Sequence, residues 1–468
     1  MNEEDNERGF NMRAIKMRLR RVSGASPFPG CRIGGPGKLF VNTAVEPFIA
    51  RGPINKKGEA ILIGAWQQDR WSNGGARGLV AAFSKDGGGT WTRSVQPFSK
   101  CATPKNPFTR ASDPWISIGP DGRAYSTGLL LRRNSSASAI AAVTSINHGQ
   151  TWRNFRIIKV DQNPNVENDK EAVTADPVKS GWAYIVWDRG TSTVGPTWFS
   201  RTTNGGLSWS KPKIIFNPGK GNQTLGNQIV IDPASGILYN FFSLLIGANP
   251  QNPLIFIGVQ QSLNRGKTWT RAKIISQIKS VIYKDPYTGM GIRSGGNASP
   301  EIAIDSRSGR LFVVWEDARF SKGRINEVAI SYSNDRGRTW SKPTRVNPPT
   351  GTTAFTPMVR VNETGIVGVS YYQVQRENRN KNNLPVSYFF THSLNGGHDF
   401  KSPLYITGPF NMLRAPVTVS SFPPSNGLFL GDYQGLTTVK DDFQLFFSKT
   451  TQGRNPVEVF STTVQLKK

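Results

Sequence analysis

Apolar and polar residues alternate along most of this chain in short runs that are separated by polar turns. Residues 300–304, 310–315, 327–332 and 341–346 show the pattern within one stretch. An alternation with a period of two predicts β-strands with one buried face. No long stretch has the spacing of an amphipathic helix. The pattern therefore predicts an all-β chain of many short strands.

An octet of turn-forming residues recurs six times between these runs. The copies begin 61, 57, 60, 71 and 60 residues apart and occupy residues 84–91, 145–152, 202–209, 262–269, 333–340 and 393–400. The third residue is Asp or Asn, which bonds nearby backbone N–H groups, and the fifth is Gly, which accepts positive φ. The last is Trp or Phe, which can pack under the turn. We interpret the octets as structural hairpin turns, so their carboxylates are poor catalytic candidates.

Four short strands surround each octet within about 50–60 residues, which is the size of one β-propeller blade. First strands can be recognised at seven places, at residues 46, 113, 171, 228, 301, 357 and 432. The seventh repeat lacks an octet and a fourth strand, and residues 38–43 are free to supply that strand and cover the open edge. The prediction is an all-β propeller of four-stranded antiparallel blades, with seven blades favoured and six as the alternative, closed by an N-terminal strand. Residues 1–36 are predicted to form a flexible basic arm, and residues 37–468 a single propeller domain.

The chain carries 58 Lys and Arg against 31 Asp and Glu, a formal net charge of +27. This charge attracts anionic partners such as anionic glycans or acidic sugars. A solvated basic surface with no dedicated ligand is the alternative. The basic residues are scattered and not clustered with stacking aromatics, so no specific nucleic-acid partner is expected. We expect a monomer.

The cysteines, the apolar runs and the N-terminus of the sequence bear on the compartment. Cys31 and Cys101 flank the first repeat, and both a disulfide and a reduced buried pair remain open. No apolar run is long enough to cross a membrane. A basic cluster near the N-terminus is not followed by an apolar core, so no signal peptide is legible. An extracellular or cell-surface location is the expectation.

The octet resembles the Asp-box, or BNR repeat, of the sialidase superfamily, and the resemblance spans residues 40–464. Residues 66–80, 112–115 and 431–434 are similar to bacterial sialidase-like proteins. The resemblance implies a sialidase-like glycoside hydrolase, an exo-α-sialidase-like enzyme acting on terminal acidic sugars. In that family three Arg hold the substrate carboxylate, a Tyr–Glu pair is the nucleophile and an Asp is the acid/base. The family's first Arg lies in an Arg-Ile-Pro motif, where this chain has Glu46, Pro47 and Phe48.

A second pattern repeats independently of the octets, because three second strands end in an aromatic residue, an acid and an Arg. The copies are Trp66 to Arg70, Trp187 to Arg189 and Trp315 to Arg319, with a weaker one from Tyr371 to Arg376. These strand ends and the carboxylates that start the first strands should meet at the channel mouth opposite the octets. Arg binds carboxylates bidentately, and crowded carboxylates raise one another's pKa, which can keep one protonated. The catalytic candidates are Tyr372, Glu301, Asp113 and Asp69, and the substrate-binding candidates are Arg70, Arg189, Arg319, Arg376, Glu46, Asp432 and Tyr433.

Structural explanations exist for the same residues. The acid–Arg pairs can be salt bridges repeated with the blade, and the ring of carboxylates can cap backbone N–H groups. A non-catalytic propeller that binds an anionic glycan or cell-surface polymer is therefore the alternative function. His148, His392 and His398 lie in or beside octets, which argues against a His-based metal site or catalytic triad. No cofactor is expected, and Ca²⁺ on loop carboxylates is left open.

Overall fold

The computed structural model describes residues 17–55, 57–132, 137–247, 254–296, 298–421 and 424–466. Residues 1–16 of the predicted flexible arm lie outside this part of the chain. The described residues form 31 strands and two 3-10 helices of three residues each, Arg319–Ser321 and Met412–Arg414. None of their helices has the length and apolar character needed to cross a bilayer. The all-β prediction is confirmed.

Most strands belong to four-stranded antiparallel repeats. Strand β1 (Arg20–Arg21) comes first, and the first two repeats are β2 (Leu39–Ile54), β3 (Ala60–Trp71), β4 (Ala76–Ser84) and β5 (Thr92–Val95), then β6 (Arg110–Ile118), β7 (Ala124–Arg132), β8 (Ala137–Ser145) and β9 (Arg153–Asp161). The next two are β10 (Val166–Ala175), β11 (Ala183–Thr191), β12 (Thr197–Thr202) and β13 (Lys213–Phe216), then β14 (Gln223–Ile231), β15 (Leu238–Ile246), β16 (Leu254–Ser262) and β17 (Lys273–Ile278). After β18 (Gly291–Arg293) follow β19 (Glu301–Ile304), β20 (Leu311–Asp317), β21 (Glu327–Ser333) and β22 (Thr344–Arg345), then β23 (Ala354–Val361), β24 (Val367–Val374), β25 (Pro385–Ser393) and β26 (Leu404–Asn411). The chain finishes with β27 (Val417–Ser421), β28 (Pro424–Phe429), β29 (Gly435–Val439), β30 (Asp442–Thr450) and β31 (Val457–Val464).

The repeats close into a ring. The first strands of successive repeats are neighbours, and β29 contacts both β23 and β2. Four repeats, β10–β13, β14–β17, β19–β22 and β23–β26, are separate four-stranded sheets, while β1–β9 and β29–β31 share one twelve-stranded sheet. The propeller of four-stranded antiparallel blades is confirmed.

The predicted number of blades is wrong when blades are counted as hydrogen-bonded sheets. The ring of described strands consists of five sheets, where seven blades were favoured and six were the alternative. The physical reason is that single backbone pairings, Thr43 with Val457 and Ala76 with Ala111, join neighbouring repeats into the large sheet. Such pairings between repeats do not change the spacing of the repeats in the sequence, so this spacing could not predict them.

The strand that closes the ring comes from a different segment than expected. Strand β1 pairs antiparallel with β31, Arg20 with Ser461 and Arg21 with Phe460. Residues 38–43 were expected to supply this strand, but residues 39–43 instead begin the long inner strand β2. The ring is therefore closed by an N-terminal strand, but by one that lies earlier in the chain.

The segment before residue 36 contacts the ring through some of its described residues. Val22 and Phe28 are each 4% exposed. The backbone N–H of Val22 donates to the carbonyl of Val459 at 2.9 Å, and Ser26 Oγ donates to Asp69 Oδ2 at 2.6 Å. Parts of the predicted arm therefore contact the ring, and the boundary at residue 36 stays a prediction.

The octets are hairpin turns held by their own side chains. Ser84 Oγ accepts from the N–H of Gly88 at 2.8 Å, and Asp86 Oδ1 accepts from the N–H of Thr90 at 2.9 Å. The first of these bonds recurs between the first and fifth residues of the other octets, at Ser145–Gly149, Thr202–Gly206, Ser262–Gly266, Ser333–Gly337 and Ser393–Gly397. The octets thus link the third and fourth strands of the repeats, as predicted.

Cys31 and Cys101 form a disulfide across 70 residues, which ties the N-terminal segment to the loop after β5. Replacing both by Ala should lower the free energy of unfolding by roughly 4 kcal/mol, because the unfolded chain regains the freedom of a closed loop. Denaturant unfolding under non-reducing conditions measures the loss. Reductant should bring the wild-type midpoint down to that of the variant and leave the variant unchanged. Equal midpoints for the variant and the oxidised wild type would contradict this prediction.

Candidate functional site

The inner strands break their register at equivalent places. Bulges lie between residues 45 and 48, 112 and 115, 169 and 172, 225 and 228, and 355 and 358. Each contains a residue in the left-handed region, namely Glu46 (φ 58°), Asp113 (φ 53°), Lys170 (φ 48°), Gly226 (φ 66°) and Thr356 (φ 49°). A bulge turns a side chain out of the regular alternation, and left-handed non-glycine residues each cost about 1–3 kcal/mol that the surrounding fold must offset.

Lys170 lies among three carboxylates that these turns bring together. Its Nζ is 3.3 Å from Glu46 Oε1, 3.8 Å from Asp113 Oδ2 and 2.5 Å from Asp432 Oδ2. The Lys170 side chain is 12% exposed, and those of its partners are 1–7% exposed. One buried ammonium therefore neutralises part of a cluster that would otherwise repel itself.

A small sheet adds a second positive group. Strands β18, β28 and β27 form a separate three-stranded sheet, built from the connections on either side of the fifth and sixth repeats. It places Arg293 Nη2 3.0 Å from Asp432 Oδ2 and the Arg293 guanidinium 4.6 Å from the centre of the Phe429 ring. The Arg70 guanidinium is 4.9 Å from the centre of the same ring. Phe429 thus brings two guanidinium groups to one place.

These groups open onto a cavity of about 390 Å³. Its charged lining includes Arg70, Asp113, Asp169, Lys170, Asp188, Arg293 and Asp432. Its walls also include Asn73, Gly74 and Gly75 from the β3–β4 connection, at the end of these strands away from the octet. The cavity therefore lies at the mouth opposite the octets, where the sequence predicted the site.

The surroundings of the cavity shift the pKa values of its carboxyl groups in opposite directions. Burial raises the pKa of Asp432, but Arg293 and Lys170 outweigh it and hold that pKa below its ordinary value. Burial is likewise outweighed at Asp113 by Lys170 and by the hydroxyl of Ser112, which donates at 2.7 Å, so the pKa of Asp113 is lowered. Burial and the neighbouring charge of Asp113 hold the pKa of Asp169 well above its ordinary value. The pKa values of the neighbouring Asp113 and Asp169 are therefore shifted in opposite directions, as in pairs that divide the roles of acid and base.

Further carboxyl groups have raised pKa values. Burial raises the pKa of Asp188 to about 7. The N–H of Gly226, which donates to Asp188 Oδ2 at 2.7 Å, acts in the opposite direction. Burial also raises the pKa of Glu46 to about 7, although Lys170 acts in the opposite direction. Glu171 is 1% exposed, both of its carboxyl oxygens lack a partner among the described residues, and burial raises its pKa well above its ordinary value.

Aromatic rings support the charged cluster. The rings of Phe48 and Trp115 stack with centres 3.8 Å apart, and Tyr433 meets Trp115 edge-on at 5.1 Å. The Tyr433 hydroxyl donates to the carbonyl of Pro114 at 3.0 Å. Burial raises the pKa of Tyr433 well above its ordinary value. Tyr433 therefore serves as a wall of the cluster, with its hydroxyl already engaged.

Of the residues predicted for the site, Arg70, Asp113, Glu46, Asp432 and Tyr433 belong to this cluster. Glu301 is buried nearby in the ring, where its Oε1 accepts from Gln228 Nε2 at 3.2 Å and its Oε2 has no partner among the described residues. Burial raises the pKa of Glu301 to about 7.

Three predicted arginines do not reach the cavity. Arg189 binds Asp161 with both ends of its guanidinium, at 2.9 and 2.6 Å, and Arg319 binds Asp317 in the same way at 2.8 Å. Arg376 is exposed and donates to the carbonyl of Gly351 at 3.3 Å. The salt-bridge explanation therefore holds for the first two of these residues. The repeated Trp of this pattern are core residues, because Trp66, Trp187 and Trp315 are fully buried.

Two predicted catalytic residues also lie elsewhere. Asp69 pairs with Arg77 at 3.2 Å and accepts from the backbone N–H of Asn42 at 2.8 Å. Tyr372 is fully buried, and its hydroxyl lies 2.7 Å from Gln434 Oε1 and 2.5 Å from the carbonyl of Ser448. Asp69 therefore anchors the N-terminal segment, and Tyr372 packs between repeats.

The sequence patterns did not indicate Lys170, Asp169, Arg293 and Phe429. Glu46 and Asp113 each lie two residues before the apolar residue that follows the Pro. In the third repeat the equivalent apolar residue is Ala172, so Lys170, not Glu171, occupies the position of Glu46 and Asp113. That offset was the available signal for Lys170. Arg293 and Phe429 had none, because they lie in connections outside the repeat. Within the described chain no three His, Cys, Asp or Glu residues are arranged to hold a metal ion.

No protein-family model matches the chain, and no curated protein matches it. Similar solved structures include an α-L-arabinanase from Penicillium chrysogenum in complex with arabinobiose, at 11% identity over 92% of this chain and 96% of that one, with a TM-score of 0.48. They also include the Hadza microbial sialidase Hz136, at 13% identity over 93% and 92%, with a TM-score of 0.47. A protein of unknown function from Dyadobacter fermentans matches at 13% identity over 96% and 99%, with a TM-score of 0.47. Sialidases are among these structures, as the octets lead one to expect, and the likeness concerns the fold alone.

The raised pKa values predict that the protein is more stable at pH 5 than at pH 8. Glu46, Asp188, Glu301 and Glu316 have pKa values of about 7 in the folded protein. Ordinary values are about 4, so between about pH 4 and 7 the unfolded chain releases protons that the folded chain keeps. The free energy of unfolding then falls as pH rises through this window. The lowered pKa values of Asp113 and Asp432 act in the opposite sense, but only below about pH 4.

Urea unfolding at both pH values checks this prediction. Glu301→Gln should reduce the difference in midpoint, because the amide has no proton to lose and still accepts from Gln228. Glu363→Gln is the matched control, since the Glu363 side chain is 47% exposed. A wild-type midpoint at pH 8 equal to or above that at pH 5 would show the prediction to be wrong.

Proposed function

We propose that this chain is a glycoside hydrolase that acts on terminal acidic sugars of glycans. The observation that carries the proposal is the Asp113–Asp169 pair at the wall of a cavity, where two neighbouring carboxyl groups have pKa values shifted in opposite directions. Glycoside hydrolysis needs one carboxylic acid that donates a proton and one carboxylate.

Asp169 is the general acid in this proposal. Its proton passes to the oxygen of the leaving group as the bond between that oxygen and the anomeric carbon breaks. A water oxygen then adds to the anomeric carbon, and its proton passes to the Asp169 carboxylate that the first step leaves, which restores the acid. The Asp113 carboxylate beside it stabilises the positive charge that develops on the sugar. Lys170, 3.8 Å from Asp113 Oδ2, keeps Asp113 ionised before the step. Water takes the place of a Tyr nucleophile, because the hydroxyls of Tyr372 and Tyr433 are already engaged and far from ionisation.

The arginines support the choice of an acidic sugar. Arg70 is 3% exposed, and its Nε has no partner among the described residues. Burial and the nearby charge of Arg293 lower the pKa of Arg70, so an anion between the two guanidinium groups would relieve both effects. A sugar carboxylate is such an anion and binds Arg bidentately. The disulfide fits the extracellular or cell-surface location that we propose for this activity.

The alternative function is a non-catalytic propeller that binds an acidic glycan in this cavity. It is favoured by the same two arginines, and it does not need the unequal protonation of Asp113 and Asp169. The two functions therefore differ in what happens when Asp169 is changed.

Asp169→Asn should lower kcat by about 10²–10⁴-fold on the sugar that is hydrolysed, because the amide cannot donate the proton. A panel of fluorogenic sialosides, glucuronides, galacturonides and neutral arabinosides identifies that sugar. Asp86→Asn is the matched control, since four other octets have Asn at the equivalent position. Arg70→Gln should raise KM for an acidic sugar more than it lowers kcat.

Each result bears on a separate part of the proposal. Hydrolysis of the neutral arabinoside alone would show that the protein is a glycoside hydrolase but that its substrate is not an acidic sugar. Full activity of Asp169→Asn would show that Asp169 is not the general acid. Binding of acidic glycans with no turnover across the panel would favour the alternative function.

A further inference from the structure

The six octets form one continuous face of the ring, which we call the octet face. From the second octet to the sixth, each accepts a hydrogen bond from the repeat before it. The donor–acceptor pairs are Ser94 Oγ to Gly149, Arg156 Nε to Leu207, Lys213 Nζ to Lys267, Lys273 Nζ to Arg338 and Arg310 Nη2 to Gly396, all at 2.6–3.3 Å. The turns therefore stand side by side around the ring.

Aliphatic side chains project from four of these turns. Ile146, Leu263 and Leu394 occupy the second position of their octets and are 60%, 67% and 61% exposed, and Leu207 is 55% exposed. Single exposed aliphatic residues are common on protein surfaces. Here they recur at the tips of equivalent turns on one face, where nothing in the turn chemistry requires an apolar residue.

The remaining tips of the octet face are mostly basic. Lys85, Lys267, Arg336 and Arg338 are exposed in the octets. The three octet carboxylates, Asp86, Asp335 and Asp399, accept hydrogen bonds within their own turns. The face therefore presents apolar tips between positive charges, on a chain whose net charge is +27.

We propose that the octet face docks on an anionic lipid bilayer. The aliphatic tips enter the boundary between headgroups and acyl chains, and the basic side chains contact the anionic headgroups. A soluble anionic polymer would satisfy the charges but offers no apolar phase for Ile146, Leu263 and Leu394. The net charge alone does not indicate which face binds the membrane, whereas the exposed aliphatic side chains of the octets indicate the octet face.

Docking in this way leaves the cavity open to solvent. The octets and the cavity lie at opposite ends of the strands, and β16 shows both ends. Leu254 begins this strand and is 53% exposed, while Leu263 follows its last residue and is 67% exposed. These two exposed leucines, at opposite ends of one strand, therefore lie on opposite faces of the ring and can be compared in a test.

The test is co-sedimentation of the full chain with vesicles, either of phosphatidylcholine alone or of phosphatidylcholine with about one third phosphatidylserine. We expect binding to the anionic vesicles at about 0.1 M salt and little binding to the neutral ones, because the charges act over roughly 10 Å at this ionic strength. Leu263→Asp with Leu394→Asp should weaken binding at least roughly tenfold, because two apolar anchors are lost. Leu254→Asp makes one such change on the opposite face and should bind like the wild type, whereas Leu263→Asp alone should already weaken binding.

Three results would overturn the proposal. They are no binding to anionic vesicles, equal binding by the wild type and the double variant, or an equal loss in Leu254→Asp and the double variant. Retention on a soluble polyanion that the double variant keeps, together with unchanged vesicle binding, would assign the face to anionic polymers instead. Leu263→Ser with Leu394→Ser repeats the test without added charge, and the thermal midpoint of each variant shows that it is folded.

Discussion

The structure depends on the compensation of charge at the centre of the ring. Bringing the inner strands together gathers Glu46, Asp113 and Asp432 where water is largely excluded, and a buried carboxylate is tolerated only when it is paired or protonated. Lys170 and Arg293 pair with part of this cluster, and burial raises the pKa of Glu46 and Asp169, which favours their protonated forms. The same compensation that lets the ring close also creates groups with unequal affinity for protons, which is the starting condition for acid–base chemistry.

Local backbone geometry decides which side chains take part in this cluster. The bulges of the inner strands put Glu46, Asp113 and Lys170 in the left-handed region, so these side chains leave the regular alternation of the strand. The small sheet of β18, β27 and β28 then adds Arg293 and Phe429 from outside the repeats. A repeated scaffold thus carries a site that is itself not repeated. The asymmetry comes from single substitutions, such as Lys for Glu, and from two long connections.

The sequence was sufficient for features that recur and insufficient for features that occur once. The octets and the alternation of apolar residues predicted the strands, the ring and the mouth that holds Arg70 and Asp113, because each repeat reports the same packing constraint. The number of sheets was not predictable, since it depends on single pairings such as Ala76 with Ala111. Arg189 and Arg319 were misleading because a salt bridge that is repeated with the blade has the same spacing as a binding group. Lys170 was missed because the third repeat was aligned at Glu171, one residue after the position that is equivalent to Glu46 and Asp113.

Pairing between the two ends of the described chain has a consequence for biosynthesis. The N–H of Val459 donates to Ser23 Oγ across 436 residues, and β1 has β31 as its partner. At about 5–20 residues per second, the ribosome delivers β31 tens of seconds after β1 has emerged. During that interval the unpaired edges of β1 and β2 resemble those of any open sheet and can pair with a neighbouring nascent chain. Early capture of the N-terminal segment by Cys101 would shorten the exposed stretch of chain, which gives the disulfide a part in assembly as well as in the finished fold.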